Sequence, residues 1–235
     1  MCYGRGEDGR STGRRGVSGT MDEQSARAEL CDVYRRLEQA GLSPGNAGNV
    51  SVHLGADMLI SPTGADGATV RPEDIVRTSL DGEALSAGIP SSEWAIHAEI
   101  YKAGLGRAVI HAHPDHCVAL SCLRQPIPAF HYAVATFGGK QVPCAPYAAF
   151  GTRALARGVV DTLKGYSACL MANHGMVCCA ETLPRALAKA AQLETLARQY
   201  CIARHSGPIV MLDETEMETV LARYRDYGTR RLSAD

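Results

Sequence analysis

One pair of histidines in this 235-residue chain has the spacing of a metal site. Apolar residues alternate along the segment 109–113 as they do in a β-strand, so the side chains of His111 and His113 point to the same face. Two imidazoles at positions i and i+2, just before Pro114, are a common way to bind a divalent ion. The same spacing is equally consistent with two partly exposed strand histidines that bind no metal. Further candidate ligands are needed to distinguish the two interpretations.

Two more residues are candidate ligands, although each has a simpler explanation. His174 lies in a turn-forming segment, Asn173-His174-Gly175, where a histidine is usually structural. His174 becomes a stronger candidate ligand beside His111 and His113, because catalytic zinc takes three protein ligands and keeps one position open. Glu93 lies in the first turn of a predicted helix, where the helix dipole favours a carboxylate, so taken alone it is interpreted as a capping residue. His97, one helical turn later, is interpreted as a core residue or a support for the site.

Polar, glycine-containing stretches at 45–51 and 61–64 offer backbone N–H groups and short hydroxyls. Together with Ser91 and Ser92 at a helix N-terminus, they could bind a phosphate, although each stretch alone is typical of an ordinary turn. No GxxxxGK[ST] and no strand-linked GxGxxG occurs, so a nucleotide-binding loop is not predicted. A Schiff-base lysine is not indicated either, because none of the four lysines is predicted to be a buried amine. They are Lys102, Lys140, Lys164 and Lys189.

Alternating helices and short strands must position these groups, which favours a single α/β domain over residues 21–235. The spacing Thr20-x-x-Glu23 predicts a capping box for a first helix that ends at Gly41. Further helices are predicted at 92–103, 153–163, 183–205 and 214–227, and strands at 50–53, 58–60, 108–113, 168–171 and 176–179. Residues 1–20 are rich in Gly, Ser and Arg and are predicted to form a disordered tail.

The composition excludes several classes of protein. A net charge of −1 gives no basic surface for nucleic acid or anionic membranes, and no apolar run approaches the ~20 residues of a membrane span. The nine cysteines are odd in number and lack a CxxC pair, so reduced thiols in a cytoplasmic protein are predicted.

Five short segments in order, GNVS, SPTG, SSE, HAH and NHG, closely resemble the class II aldolase/adducin-head family. The resemblance covers residues 22–231, and the stretch from His131 to Ala156 is most similar to the aldolase branch of the family. It implies a three-layer α/β/α sandwich around a central mixed, mostly antiparallel sheet. It also implies a fourfold-symmetric homotetramer with active sites between neighbouring subunits.

The resemblance also implies a role for each matching residue. His111, His113 and His174 would bind a divalent ion, with Zn²⁺ expected and Mn²⁺, Co²⁺ or Fe²⁺ also compatible. Glu93 would be the catalytic acid/base and a further metal ligand. Tyr132 would handle the proton on the aldehyde oxygen, and Tyr227 would close over the site. The residues that would bind the substrate phosphate are Gly48, Asn49, Thr63, Gly64, Ser91 and Ser92.

The implied reaction is reversible cleavage of a ketose 1-phosphate into dihydroxyacetone phosphate and an aldehyde. Within the family, an aldolase acting on 5-deoxyribulose or 5-methylthioribulose 1-phosphate and a methylthioribulose 1-phosphate dehydratase remain alternatives. A pentulose 5-phosphate epimerase is less compatible because such enzymes typically carry Asp in place of Glu93. Outside the enzyme class, a non-catalytic module like the adducin head is the alternative, although those heads lose the metal ligands.

Overall fold

A seven-stranded sheet forms the centre of the protein in the computed structural model, which describes residues 22–226. The strand order is β3-β2-β1-β4-β7-β6-β5, and every neighbouring pair is antiparallel except the parallel pair β5–β6. The predicted N-terminal tail and Tyr227 lie outside the described residues. The strands are β1 Asn49–Leu54, β2 Asp57–Ile60, β3 Val76–Ser79, β4 Ala108–Ala112, β5 Cys144–Ala145, β6 Ala168–Met171 and β7 Gly175–Ala180.

Of the six helices within residues 22–226, five cover the two faces of this sheet. Helices α1, α3 and α5 bury apolar residues on one face, with Val50 and Ile110 of the central strands. Helices α2 and α4 pack on the other face, with Val109 and Val177. The predicted α/β/α sandwich with a mixed, mostly antiparallel sheet is therefore confirmed. The helices are α1 Glu23–Gln39, α2 Trp94–Lys102, α3 Asp115–Ser121, α4 Arg153–Thr162, α5 Leu183–Ser206 and α6 Glu214–Asp226.

The predicted start of the first helix is wrong. Asp22 is the N-cap of α1, and its carboxylate accepts hydrogen bonds from the backbone N–H of Ser25 at 3.1 Å and from its hydroxyl at 2.6 Å. An Asp at this position satisfies the free N–H groups of the first turn, so the helix begins at Glu23 without Thr20. The short elements α3, β3 and β5 were not predicted because runs of this length carry little periodicity.

The eight cysteines within the described part of the chain are all free thiols, and several are fully buried. Burial raises the pKa of Cys179 to about 11 and also raises that of Cys178. Such thiols are protonated at neutral pH and act as small apolar core residues. No helix between residues 22 and 226 is both long enough and apolar enough to cross a membrane.

Candidate active site

The three candidate histidines converge at one end of the central strands. His111 lies in β4, His113 just beyond its end, and His174 in the β6–β7 turn. Their ring centroids are 4.6–4.9 Å apart and the rings are nearly perpendicular to one another. Glu93, immediately before α2, joins them, so that one ligand atom from each of the four residues lies within 4.8 Å of the others. The structure therefore brings together all four residues predicted to bind metal.

The pairing of β4 with β7 explains why residues so distant in sequence meet. Ala112 is opposite Met176 in the register of this pair, so the turn before β7 lies beside the end of β4. A Cβ atom on Gly175 would lie 2.5 Å from the carbonyl oxygen of Ala112, and Asn173 has a positive φ of 53°. The turn that carries His174 thus depends on a glycine that permits close backbone contact and on an asparagine, which tolerates the left-handed conformation.

The C-terminal end of α3 fixes the same turn from a second side. The backbone N–H of Asn173 donates to the carbonyl oxygen of Ser121 at 3.1 Å, and the N–H of His174 donates to its hydroxyl at 3.2 Å. The Ser121 hydroxyl in turn donates to the carbonyl of Val118 at 2.7 Å. Arg124 Nε donates to Asn173 Oδ1 at 2.7 Å. These contacts restrict the position of His174 without using its imidazole.

The hydrogen bond of His111 defines which ring nitrogen faces the cluster. Its Nδ1 lies 2.9 Å from the carbonyl oxygen of Met176, and a carbonyl can only accept, so Nδ1 carries the proton. Nε2 is therefore the ring nitrogen that faces the cluster, and it lies 2.8 Å from His113 Nε2. Burial, together with the neighbouring histidines, lowers the pKa of His113 to about 3, so this imidazole is neutral at physiological pH. Neutral imidazoles are the form that binds metal ions.

Glu93 is not the capping residue that its position predicts. It occupies the N-cap position of α2, but its side chain makes no capping hydrogen bond. Its Oε2 lies 2.8 Å from His111 Nε2 and its Oε1 lies 3.5 Å from His174 Nε2. Burial alone would raise the pKa of Glu93, but its contact with His111 and the charge of the three nearby histidines hold it at about 2. The carboxylate is therefore ionised and directed at the cluster.

The donor set fits a divalent metal. Glu93 is only 7% exposed, yet its Oε1 has no hydrogen-bond partner, which is costly for a buried carboxylate oxygen unless a cation satisfies it. Three imidazoles and one carboxylate are a typical ligand set for a zinc-type ion with a position exchangeable for substrate. The residues present thus fit the metal that the resemblance implies.

The residues predicted to bind phosphate lie on three adjacent segments beside this cluster. The N–H of Ser91 donates to the carbonyl of Ser61 at 3.1 Å, and that of Ser61 donates to the carbonyl of Val50 at 3.0 Å. The N–H of Thr63 donates to the carbonyl of Ile89 at 3.0 Å. Asn49 is directly opposite His111 in the β1–β4 pair. The six predicted residues on these segments are Gly48, Asn49, Thr63, Gly64, Ser91 and Ser92.

Gly48 has a packing reason to be glycine. A Cβ atom there would lie 2.6 Å from Ser43 Oγ and 3.0 Å from the carbonyl oxygen of His111. The Tyr34 hydroxyl lies 3.0 Å from both the Gly48 and the Ala65 carbonyl oxygens, so it links two of the phosphate-site segments from within the core. The close approach at Gly48 and the hydrogen bonds of Tyr34 together hold the loop before β1 against β4, the strand that carries His111.

A cavity of about 380 Å³ opens onto the cluster. Tyr147 and Phe150 in its wall are 59% and 73% exposed, and the Arg124 guanidinium lies 5.4 Å from the centre of the Tyr147 ring. Sequence reasoning missed both aromatic residues because no spacing distinguishes them from other residues of the loop after β5. The lining comprises Ser92, Glu93, His113, Tyr147, Ala148, Phe150, Asn173 and His174.

The structure does not bring Tyr132 to this cavity. Tyr132 begins a 3₁₀ turn, Tyr132–Phe137, and is 54% exposed. It lines a different cavity of about 590 Å³ together with residues of α6, among them Val220 and Arg223. Within one chain, Tyr132 and the candidate metal ligands therefore belong to separate surfaces.

The prediction that none of the four lysines is a buried amine holds only in part for Lys189. Its side chain is partly buried, Nζ donates to Ser167 Oγ at 2.6 Å, and it lies 5.7 Å from the centre of the Phe137 ring. Burial lowers its pKa. Lys189 does not line the cavity of the histidine cluster, so its amine does not alter the metal-based interpretation.

Residues 28–201 match the family described as Class II Aldolase and Adducin N-terminal domain, and the chain belongs to this family. A 5-methylthioribulose-1-phosphate/5-deoxyribulose-1-phosphate aldolase from Rhodospirillum rubrum is 41% identical over 201 residues, covering 85% of this chain and 90% of that protein. An L-fuculose phosphate aldolase from Escherichia coli is 37% identical over 212 residues, covering 89% and 99%. A solved L-fuculose 1-phosphate aldolase superposes with a TM-score of 0.83 and 34% identity, covering 88% of this chain and all of that one. The predicted membership of the aldolase class is therefore confirmed.

Proposed function

We propose that this protein is a divalent-metal-dependent aldolase that reversibly cleaves a ketose 1-phosphate into dihydroxyacetone phosphate and an aldehyde. L-Fuculose 1-phosphate or a similar deoxy-ketose 1-phosphate is the proposed substrate. The observation that carries the proposal is the cluster of Glu93, His111, His113 and His174 beside three segments rich in N–H and hydroxyl donors. Such an arrangement suits a small phosphorylated substrate whose reacting carbons lie at the metal.

The three histidines hold the ion, for which Zn²⁺ is the proposed identity. When bound, such an ion supplies a Lewis acid that stabilises negative charge developing beside the substrate carbonyl. Neutral imidazoles leave the charge of the ion uncompensated, which strengthens this effect. The N–H of Gly48 and the hydroxyls of Thr63 and Ser92 donate to the substrate phosphate, so the protein binds a small anion without a basic surface.

Glu93 is the proposed proton carrier. Its Oε2 is engaged by His111 Nε2, whereas Oε1 has no hydrogen-bond partner and belongs to a residue lining the cavity. An ionised carboxylate at this point accepts a proton from the substrate side at Oε1 and returns it in the reverse direction. Because the carboxylate is buried among the three histidines, it would also be able to ligate the metal when substrate is absent.

We further propose that the site is completed by a neighbouring subunit. Tyr132 is exposed and does not line the cavity of the candidate ligands in its own chain, which suits an acid/base that serves the aldehyde oxygen in the next subunit of a homotetramer. Tyr227 is proposed to close over the site, but it lies outside the described residues. A cytoplasmic location is proposed because the chain contains many buried thiols, which persist in a reducing compartment.

Cleavage of 5-methylthioribulose or 5-deoxyribulose 1-phosphate is a second candidate. The 41% identity with the Rhodospirillum rubrum aldolase favours it. These substrates share the phosphorylated end and differ at the aldehyde end, so the same metal and phosphate residues serve both. A dehydratase acting on methylthioribulose 1-phosphate would use similar residues and form no dihydroxyacetone phosphate. A non-catalytic module is disfavoured because all four candidate ligands are present and converge.

A substrate panel tests the proposed activity. Zinc-loaded protein is incubated with L-fuculose, L-rhamnulose, 5-deoxyribulose and 5-methylthioribulose 1-phosphates, and release of dihydroxyacetone phosphate is coupled to NADH oxidation. We expect release from at least one substrate and loss of that release after treatment with a chelator. Absence of release from every substrate, with the metal bound, would refute the aldolase proposal.

The variant Glu93→Gln tests the role of the carboxylate. We expect turnover to fall by about 100-fold or more because the amide cannot accept the proton, while metal remains bound through the three histidines. Bound metal is measured by elemental analysis and turnover by the coupled assay. Full activity in this variant would remove Glu93 from the mechanism.

A further inference from the structure

His97 is a fully buried polar residue to which the proposed reaction gives no role. It lies on α2, one helical turn after Glu93, and faces strand β1. Its Nδ1 is 2.6 Å from Ser51 Oγ, and its Nε2 is 2.5 Å from Asn49 Oδ1. Ser51 Oγ is also hydrogen-bonded to the hydroxyl of Tyr101. Four side chains thus form one continuous buried network.

The chemistry of these groups fixes the direction of every hydrogen bond. Burial lowers the pKa of His97 to about 3, so the ring is neutral and carries one proton. The carboxamide oxygen of Asn49 can only accept, so that proton is on Nε2. Nδ1 must then accept from the Ser51 hydroxyl, and Ser51, having given its only proton, accepts from Tyr101. In this arrangement each of these hydrogen bonds has one donor and one acceptor.

This directed network determines the orientation of the Asn49 carboxamide. His97 hydrogen-bonds the carboxamide oxygen of Asn49, so the NH₂ group of Asn49 points away from His97. Asn49 is paired directly with His111 across β1 and β4, and side chains of opposite residues lie on the same face of a sheet. The carboxamide therefore lies between His97 and the metal-binding face, next to Gly48.

We propose that His97 is a positioning residue for substrate binding, which orients the Asn49 carboxamide so that its NH₂ group donates to the substrate phosphate. The proposal rests on the function proposed above, in which Asn49 is a phosphate ligand. Without His97 Nε2–H, the carboxamide can rotate by 180° about its last bond and present its oxygen, which repels an anion. The metal ligands are not part of the network, so their affinity for metal should not depend on it.

Two amide variants separate the two hydrogen bonds of His97. An Asn side chain places its amide near the position of Nδ1, so His97→Asn keeps the contact with Ser51 and loses the contact with Asn49. A Gln side chain reaches the position of Nε2, so His97→Gln keeps a donor to Asn49. Affinity for inorganic phosphate is measured by calorimetry on zinc-loaded protein. We expect about tenfold weaker binding in His97→Asn and binding within about threefold of wild type in His97→Gln.

A double-mutant cycle with Asn49→Ala separates positioning from general structural damage. If His97 acts through Asn49, His97→Asn weakens phosphate binding in the wild-type background and has no further effect when Asn49 is already Ala. The zinc affinity and the absorption spectrum of the Co²⁺-substituted protein stay unchanged in every variant. Equal losses in both backgrounds, or a parallel change in metal affinity or in the Co²⁺ spectrum, would overturn the proposal.

A measurement on the wild-type protein makes the test independent of whether the variants fold. The ¹⁵N chemical shifts of the His97 ring should show a neutral imidazole protonated at Nε2, and inorganic phosphate should shift the Asn49 NH₂ signals. Protonation at Nδ1 would overturn the proposal. If zinc-loaded wild type does not bind phosphate, the phosphate site of the proposed function fails as well. Normal binding by wild type and by His97→Asn overturns only the role of His97.

Discussion

The histidine cluster and the surface around Tyr132 are built in different ways. His111 and His113 come from a buried central strand, and His174 comes from a turn held by strand pairing and by α3. Tyr132 lies instead on an exposed 3₁₀ turn beside α6, the last described helix. The candidate metal ligands therefore converge within one chain, whereas Tyr132 lies on a surface that does not include them, as the proposed site between subunits requires. The following predictions test this difference.

The largest expected effect follows from removal of a central ligand. His111→Gln removes the imidazole that contacts both His113 and Glu93. We expect zinc affinity to fall by more than about 100-fold, because loss of even an outer hydrogen-bond partner of a metal ligand costs roughly 10- to 100-fold. Competition with a chromophoric chelator measures the affinity. Retention of zinc with wild-type affinity would show that the cluster is not the metal site.

Substitution of Tyr132 should leave the metal in place. Tyr132→Phe removes one hydroxyl from an exposed side chain, so we expect unchanged zinc affinity and a fall in turnover of about 100-fold. The same chelator competition and the coupled assay measure the two quantities. A loss of metal in this variant would contradict the separation of the two surfaces.

Mixed subunits show whether the two surfaces meet between chains. In a shared site, Glu93→Gln and Tyr132→Phe subunits reassembled in equal amounts should regain activity in about one quarter of the sites, because a wild-type Glu93 then faces a wild-type Tyr132. Reassembly of either variant alone is the control. No recovery in the mixture would place both residues in the same subunit's site.

The sequence predicts the position of a site residue best when a local pattern, such as strand alternation, already determines which residues it contacts in the folded protein. The alternation around His111 and His113 correctly places both on one face of a strand. His174 meets them only because β4 pairs with β7, and strand pairing across some sixty residues has no local signal, so its ligand role came from the family resemblance. Glu93 is the opposite case, since its local pattern favours a helix cap and the long-range attraction of the histidines prevails.

Gly175 tests how strictly the turn of His174 is determined. A Cβ atom at this position would lie 2.5 Å from the Ala112 carbonyl oxygen, so Gly175→Ala must displace one of the two strands. We expect a loss of about 2 kcal/mol in the free energy of unfolding. Gly158→Ala is the matched control, because its Cβ would make only ordinary contacts with Pro146 and alanine favours a helix. Equal stability of the two variants, measured by urea unfolding, would show that the turn is not constrained by this contact.

Ser121→Ala should give the smallest effect, because it removes one hydrogen bond from the backbone of a ligand and leaves all four ligands intact. The His174 N–H then loses one of its two acceptors, at 3.2 Å, and keeps the Met171 carbonyl at 3.0 Å, while the Asn173 N–H keeps the Ser121 carbonyl. We expect zinc affinity to fall by about tenfold, within the range for groups that orient a ligand. Ser43→Ala is the matched control, since the Ser43 hydroxyl is equally buried but has no hydrogen-bond partner. If both variants bind zinc like wild type, the hydrogen bond from the His174 N–H to the Ser121 hydroxyl does not contribute to the metal site.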